Sequence, residues 1–189
     1  GEAELRSFLD RIAERPGILC VLDEAYYDFA DAEDFPDSRR LIDDYPNLLV
    51  LRTFSKLYGL AGLRIGYGMA GAPIIAAMEK TRQPFNLNSL AQAAGAAALN
   101  DRDFVERSRA LVGAGRRQLT EGLKGLGLTV YPSQANFLCF DTERDARRIF
   151  EELAKEGVTI RPLASFGMDS WIRVTVGTRE QNEFFLEAL

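Results

Sequence analysis

Lys56 lies in the run Thr53-Phe54-Ser55-Lys56-Leu57-Tyr58-Gly59-Leu60-Ala61-Gly62-Leu63-Arg64, which sets one primary amine between hydroxyl side chains and an arginine. A lysine amine has a reference pKa of about 10.4 and needs desolvation or a nearby cation to become a nucleophile at neutral pH. Arg64 can supply part of that field. Such an amine condenses with aldehydes to a Schiff base, while short hydroxyl donors and a fixed guanidinium attract a phosphate monoester. The array therefore suits an aldehyde cofactor that carries a phosphate. Upstream, the apolar run Ile18-Leu19-Cys20-Val21-Leu22 ends in Asp23-Glu24-Ala25-Tyr26, which puts a carboxylate and a phenol just beyond a strand. Ligands of open α/β sheets bind at such carboxyl ends.

The elements that must position these groups follow from periodicity. Leu5, Phe8, Leu9, Ile12 and Ala13 recur on one helical face at the start of the chain. Strands are expected at 18–23, 48–52 and 63–69, with an irregular polar segment over 28–46 and Arg64 opening the third strand as a buried arginine in need of an anion. Helices are expected over 72–82 and 88–99, parted by Pro84, which cannot sit inside a helix without disrupting it. A long helix should run from Asp101 to about Leu123, burying Phe104, Leu111, Leu119 and Leu123, although Gly113 and Gly115 weigh against its continuity. Strands around the Pro132-Ser133-Gln134 turn, a helix over 143–156, strands at 157–161 and 171–176 and a final helix over 179–189 complete the chain. Alternating strands and helices predict an α/β class with two domains, 1–99 and 100–189.

Composition mainly excludes. At 189 residues, with 47% hydrophobic and 27% charged, the chain is neither disordered nor fibrous. Its 23 basic and 28 acidic residues are spread along the sequence, so no basic patch announces nucleic acid or anionic lipid. No apolar run approaches the roughly 18 residues of a membrane span, and the start lacks the pattern of a signal peptide. A soluble, cytoplasmic protein is expected. The absence of histidine removes Ser-His-Asp and Cys-His catalysis and most zinc sites, so no metal site is expected. Cys20 and Cys139 lie in apolar, strand-like runs and read as buried free thiols.

Four further segments join the lysine run in one order: Asp23-Glu24-Ala25-Tyr26-Tyr27-Asp28-Phe29, Pro84-Phe85-Asn86-Leu87-Asn88-Ser89, Pro132-Ser133-Gln134-Ala135-Asn136-Phe137 and Ile172-Arg173-Val174-Thr175-Val176-Gly177-Thr178. Together they resemble the fold-type-I pyridoxal-phosphate aminotransferases, and within them the histidinol-phosphate aminotransferase branch. The resemblance implies the second half of the large α/β/α domain followed by the small C-terminal α/β domain. Family members run to about twice this length, so the other half would precede Gly1.

The resemblance further implies pyridoxal 5'-phosphate held by Lys56, which also shuttles the proton between substrate and cofactor carbons. Asp23 would keep the pyridine nitrogen protonated, Tyr26 would bond the ring hydroxyl, and Thr53, Ser55 and Arg64 would hold the phosphate. Arg173 would receive the substrate carboxylate, Arg161 a phosphate or carboxylate, and Asn136 would line the substrate side. The implied reaction moves an amino group from L-histidinol phosphate to 2-oxoglutarate in a homodimer. Aromatic aminotransferases and threonine-phosphate decarboxylases share most of these motifs.

Plainer readings stand beside each role. Asp23 could cap the turn that follows it, Thr53 and Ser55 could make local turn bonds, Arg161 could be a surface residue, and Glu24 and Tyr27 are expected to pack or face solvent. Gly66-Tyr67-Gly68-Met69-Ala70-Gly71 matches a dinucleotide fingerprint, but no acidic residue follows between Thr81 and Asn100, and strand packing explains the glycines. Thr53 to Lys56 has the spacing of a Ser-x-x-Lys acylation motif without its serine or companion motifs. A reading from another class is a catalytically incompetent product that keeps the lysine half of the fold as a binding or interaction module.

Overall fold

The apolar spacing of the first segment folds as helix α1 (Glu2–Ala13) in the computed structural model, which describes residues 1–15 and 17–189. Its buried stripe is narrower than the spacing predicts. Leu9 is buried with Cys20, Leu41, Tyr45, Leu48 and Val50, Leu5 and Ile12 pack partly against them, and Phe8 is exposed. The Tyr45 hydroxyl donates to Asp10 at 2.7 Å, so the polar tip of a buried aromatic is satisfied.

Strands β1 (Cys20–Asp23), β2 (Leu48–Thr53) and β3 (Gly66–Ala70) form a sheet in the order β1-β2-β3. β1 and β2 are parallel, and β3 runs antiparallel to β2. Consecutive Leu48, Leu49 and Val50 are all buried, as expected for a central strand covered on both faces. The first strand begins at Cys20 rather than residue 18 because its first partner is Leu48. The Cys20 N–H there donates to Asn47 O, and the side chain of Asn47 donates to Ile18 O. A Cβ on Gly66 would lie 3.0 Å from Arg52 O, and one on Gly68 would lie 3.3 Å from side-chain carbons of Leu49 and Leu51. These glycines admit close packing within the sheet, as the sequence reading favoured over a dinucleotide loop. Helices α2 (Ala72–Thr81) and α3 (Ser89–Asn100) follow, the second capped by Asn88 Oδ1, which accepts from the Ala91 N–H at 2.8 Å.

The chain divides into two compact units, Gly1–Val105 and Glu106–Leu189, and helix α4 (Arg102–Gly125) crosses that division. α4 is continuous through Gly113 and Gly115. Leu119 and Leu123 are buried as expected, whereas Phe104 and Leu111 are exposed. A Cβ on Gly115 would stand 2.5 Å from Val176 Cγ1 and 2.8 Å from Asn182 Nδ2, so the missing side chain is what lets the helix approach this region. Gly115→Val is therefore expected to destabilise the second unit by about 2 kcal/mol or more through overpacking, read as a lower urea midpoint at unchanged slope.

In the second unit, β4 (Thr129–Val130), β5 (Phe137–Asp141), β6 (Arg161–Leu163) and β7 (Met168–Thr175) form an antiparallel sheet ordered β4-β5-β7-β6. Leu138, Phe140, Ile172 and Val174 point into a core shared with Leu119, Leu123 and Leu153 of α5 (Ala146–Lys155) and Phe185 of α6 (Arg179–Ala188). The period of two turns Cys139 and Arg173 to the other face. The strand expected at 157–161 begins only at Arg161 because the preceding residues terminate α5. The Val158 N–H donates to Leu153 O and the Gly157 N–H to Ala154 O, with Gly157 at φ 80°, the paired bonds of a left-handed helix stop.

Candidate functional site

Asp23 ends β1 and Thr53 ends β2, and the parallel register sets Asp23 opposite Leu51. The carboxyl ends of two neighbouring strands thus lie level, and the residues just beyond them line one side of the sheet. The turn after Thr53 is tied by its own bonds. The Thr53 hydroxyl donates to Ile65 O at 3.2 Å and accepts from the Ser55 N–H at 3.0 Å. The Phe54 N–H donates to Ile65 O, the Leu60 N–H to Phe54 O and the Gly59 N–H to Lys56 O. Phe54 and Leu57 are buried on either side of Lys56, which is exposed.

A cleft of about 350 Å³ opens at these strand ends, lined by Asp23, Arg52, Thr53, Ser55, Lys56 and Arg64, with Ala25, Leu51 and Ala61 filling the wall. Lys56 Nζ lies 5.1 Å from the ring centre of Tyr26. The fold thus brings together Asp23, Thr53, Ser55, Lys56 and Arg64, with Tyr26 beside the amine. Two details differ from expectation. Arg64 does not open a buried strand: it is exposed in a left-handed backbone conformation (φ 55°, ψ 50°) before β3, and its Nη1 donates to Ala61 O at 2.7 Å. It lines the cleft from this exposed position. The Thr53 hydroxyl gives its proton to a backbone carbonyl, so it shapes the turn that presents Ser55 and Lys56. Asp23 Oδ1 accepts from the Ala25 N–H at 3.1 Å, the turn bond that the plainer reading anticipated.

Glu24 and Tyr27 were expected to pack or face solvent; they pack, and the residue they pack on is Arg52. Arg52 Nε donates to Glu24 Oε2 at 3.0 Å and Nη2 lies 2.9 Å from the same oxygen, with the side chains 7% and 10% exposed. The Arg52 guanidinium carbon sits 3.5 Å from the ring centre of Tyr27. Burial opposes the Arg52 charge, but the hydrogen bond and charge of Glu24, with Tyr27, outweigh it and hold the guanidinium above its usual pKa. The sequence carried no signal for this pair: only after the sheet sets Asp23 opposite Leu51 are the next residues on the two strands an acid and a base.

In the second unit, Arg173 on β7 stands directly opposite Arg161 on β6 and opposite Cys139 on β5. Like charges directly opposite each other destabilise a sheet unless something compensates. The Arg173 guanidinium lies 5.0 Å from the Phe137 ring centre and that of Arg161 6.0 Å from the Phe166 ring centre. Among the described residues neither makes an ion pair with an acid. Asn136 is half-buried, and its carbonyl accepts the Val176 N–H at 2.9 Å. Cys20 is a buried free thiol as expected, while Cys139 is half-buried. Burial pushes both thiols up, and for Cys139 it outweighs the opposing charge of Arg173.

Residues 2–189 match the family described as aminotransferase class I and II, and the chain belongs to that family. Histidinol-phosphate aminotransferase 2 of Pseudomonas fluorescens is 48% identical over 189 residues, which is 100% of this chain and 50% of that protein. The chain thus spans about half the length of the curated relatives it matches. The crystal structure of the histidinol-phosphate aminotransferase from Clostridium acetobutylicum superposes with a TM-score of 0.90 at 26% identity, covering 100% of this chain and 58% of that one. The Sinorhizobium meliloti histidinol-phosphate aminotransferase, solved in complex with pyridoxal-5'-phosphate, gives 0.83 at 32% identity, covering 96% and 51%. The α/β fold is that of part of a fold-type-I aminotransferase. Among the described residues no helix is long and apolar enough to cross a membrane.

Proposed function

We propose that this chain is the lysine-bearing half of a pyridoxal-phosphate-dependent aminotransferase that transfers the amino group of L-histidinol phosphate to 2-oxoglutarate. The observation that carries the reading is the cleft at the ends of β1 and β2, where an amine, a carboxylate and an arginine line one space. That set fits an aldehyde, a ring nitrogen and a phosphate on one small molecule. Bound there, pyridoxal phosphate supplies an electron-withdrawing ring that stabilises the charge left when a substrate carbon loses its proton.

Lys56 would hold the cofactor through its Nζ amine, and the same amine would carry the proton at the substrate α-carbon. Asp23 keeps the ring nitrogen protonated, and Tyr26 bonds the ring hydroxyl. Ser55 and Arg64 hold the phosphate on the turn that Thr53 shapes. Arg173 takes a carboxylate of the 2-oxo acid acceptor in a two-pronged bond, Arg161 takes a phosphate or carboxylate, and Asn136 lines the substrate side. Support comes from the two guanidiniums standing opposite each other with no acid paired to either among the described residues. The reading makes residues 1–99 the end of the large cofactor-binding domain and 100–189 the small domain, in a cytoplasmic homodimer of the full-length protein.

The test is a panel of amino donors with the full-length enzyme. L-histidinol phosphate should give the highest kcat/KM with 2-oxoglutarate; preference for an aromatic amino acid, or carbon dioxide release from threonine phosphate, would reassign the substrate. Arg173→Lys keeps the charge and removes the two-pronged geometry. It is expected to raise the KM for 2-oxoglutarate roughly 10- to 100-fold, measured by steady-state glutamate formation.

A further inference from the structure

We infer that Glu24, Arg52 and Tyr27 form a positioning cluster that fixes the spacing between Asp23 and the Lys56 turn, an inference that rests on the cofactor reading above. Glu24 is covalently next to Asp23, and Arg52 is next to Thr53. The parallel ladder ends at the Asp23 and Leu51 pair, and beyond it the Glu24 N–H donates to Leu51 O at 2.9 Å. Past that point, side chains hold the two strand ends together.

Arg52 grips both pieces. Its Nε and Nη2 converge on Glu24 Oε2 at 3.0 and 2.9 Å, and its guanidinium lies over Tyr27, which opens the short 3₁₀ turn Tyr27–Phe29 directly after Tyr26. One planar group thereby spans the end of β1, the end of β2 and the turn that carries Tyr26. The planar fork suits this task, because it fixes direction as well as distance.

Stability alone is a weak reason for such a pair, since a buried ion pair is often no more stabilising than apolar residues of the same volume. Arg52 is also part of the cleft wall, and its buried Nη2, although in ion-pair range of Glu24, makes no hydrogen bond. A shift of this guanidinium is therefore felt directly where Asp23 and Lys56 face the cleft. Placement of that kind matters steeply: an error of about 1 Å from a residue remote from the chemistry can cost roughly 10²-fold in rate.

The test uses the full-length enzyme loaded with pyridoxal phosphate, as wild type, Glu24→Gln, Arg52→Lys and the double variant. Four quantities are read: the rate of cofactor release, the midpoint of the pH titration of the visible absorbance band, kcat against KM, and the melting temperature without cofactor. Glu24→Gln is expected to speed cofactor release, move the absorbance midpoint and lower kcat about 100-fold with little change in KM. The double variant should be little worse than either single one, because the two residues act as one unit. A Glu24→Gln enzyme that melts lower but keeps the wild-type release rate, midpoint and kcat would overturn the inference. Should Glu24→Gln fail to fold, Arg52→Lys, which keeps the charge and loses the fork, carries the same comparison. Borohydride reduction of the wild type separates the two levels. Label on Lys56 with unchanged variants overturns the positioning role alone, whereas an unlabelled wild type overturns the cofactor reading and the inference with it.

Discussion

Lys56→Ala is expected to abolish covalent attachment of pyridoxal phosphate to the full-length protein and to lower the transamination rate by roughly 10⁴-fold. That is the upper end of what a positioned acid or base contributes. The turn around Lys56 is held by the Thr53 hydroxyl, the Phe54 and Leu60 backbone bonds and the burial of Phe54 and Leu57, none of which involves the lysine side chain. The variant should therefore fold with an unchanged melting profile, which separates a chemical loss from a structural one. Lys56→Arg sharpens the comparison. It restores the positive charge without a primary amine, so it should be as inactive as the alanine variant if Lys56 acts as nucleophile and proton carrier. Borohydride reduction followed by peptide mass analysis reads the result directly. Label found on Lys56 in the wild type and missing in both variants is the expected outcome. Label scattered over other lysines, or substantial activity in Lys56→Arg, would sink the role.

Asp23→Asn is the second decisive change, because it divides two roles that coincide in one side chain. Asp23 Oδ1 accepts the Ala25 N–H at 3.1 Å, a turn bond that the amide oxygen of asparagine can also accept. If Asp23 were only a turn cap, Asp23→Asn would leave stability and activity nearly intact. If its carboxylate holds a proton on the cofactor's ring nitrogen, losing the charge leaves that nitrogen without its counter-ion. Losing a charge-assisted bond of this kind costs on the order of 1.5–3 kcal/mol, and the loss of the ring's electron-withdrawing character adds to it, so kcat is expected to fall by roughly 10- to 100-fold or more. The melting temperature of the variant should match that of wild type while its single-turnover rate collapses. A fall in melting temperature with proportionate loss of activity would return Asp23 to the plainer role.

What was legible in the chain and what was not follows the distance over which each feature is set. Helix α3 was read at 88–99, parted by Pro84 from the helix before it, and it forms over Ser89–Asn100 because a helix break of that kind is a local signal. The strand at 48–52 was read from consecutive apolar residues, and it differs from the observed β2 by one residue at its end. The misread boundaries share one cause. Residues 18 and 19 are apolar but have no strand partner, and residues 157–160 close a helix before β6 begins. Residues 63–65 belong to the closure of the lysine turn before β3 starts. Apolar character is a property of the residue, whereas a strand also needs a neighbour at the right register.

By itself, the sequence determined that an amine, two hydroxyls and an arginine follow a buried strand, and that a carboxylate and a phenol follow another. Those neighbours are covalent, and their spacing survives any folding. Only the tertiary structure decided that Asp23 and Lys56 line one cleft, that Glu24 meets Arg52 across 28 residues, and that Arg161 stands opposite Arg173. It also turned Arg64 from a buried strand residue into an exposed one and set the Thr53 hydroxyl to shaping a turn. The physical reason is strand register: pairing is chosen by the packing of whole faces, so residues far apart in the chain become partners only once the sheets have formed.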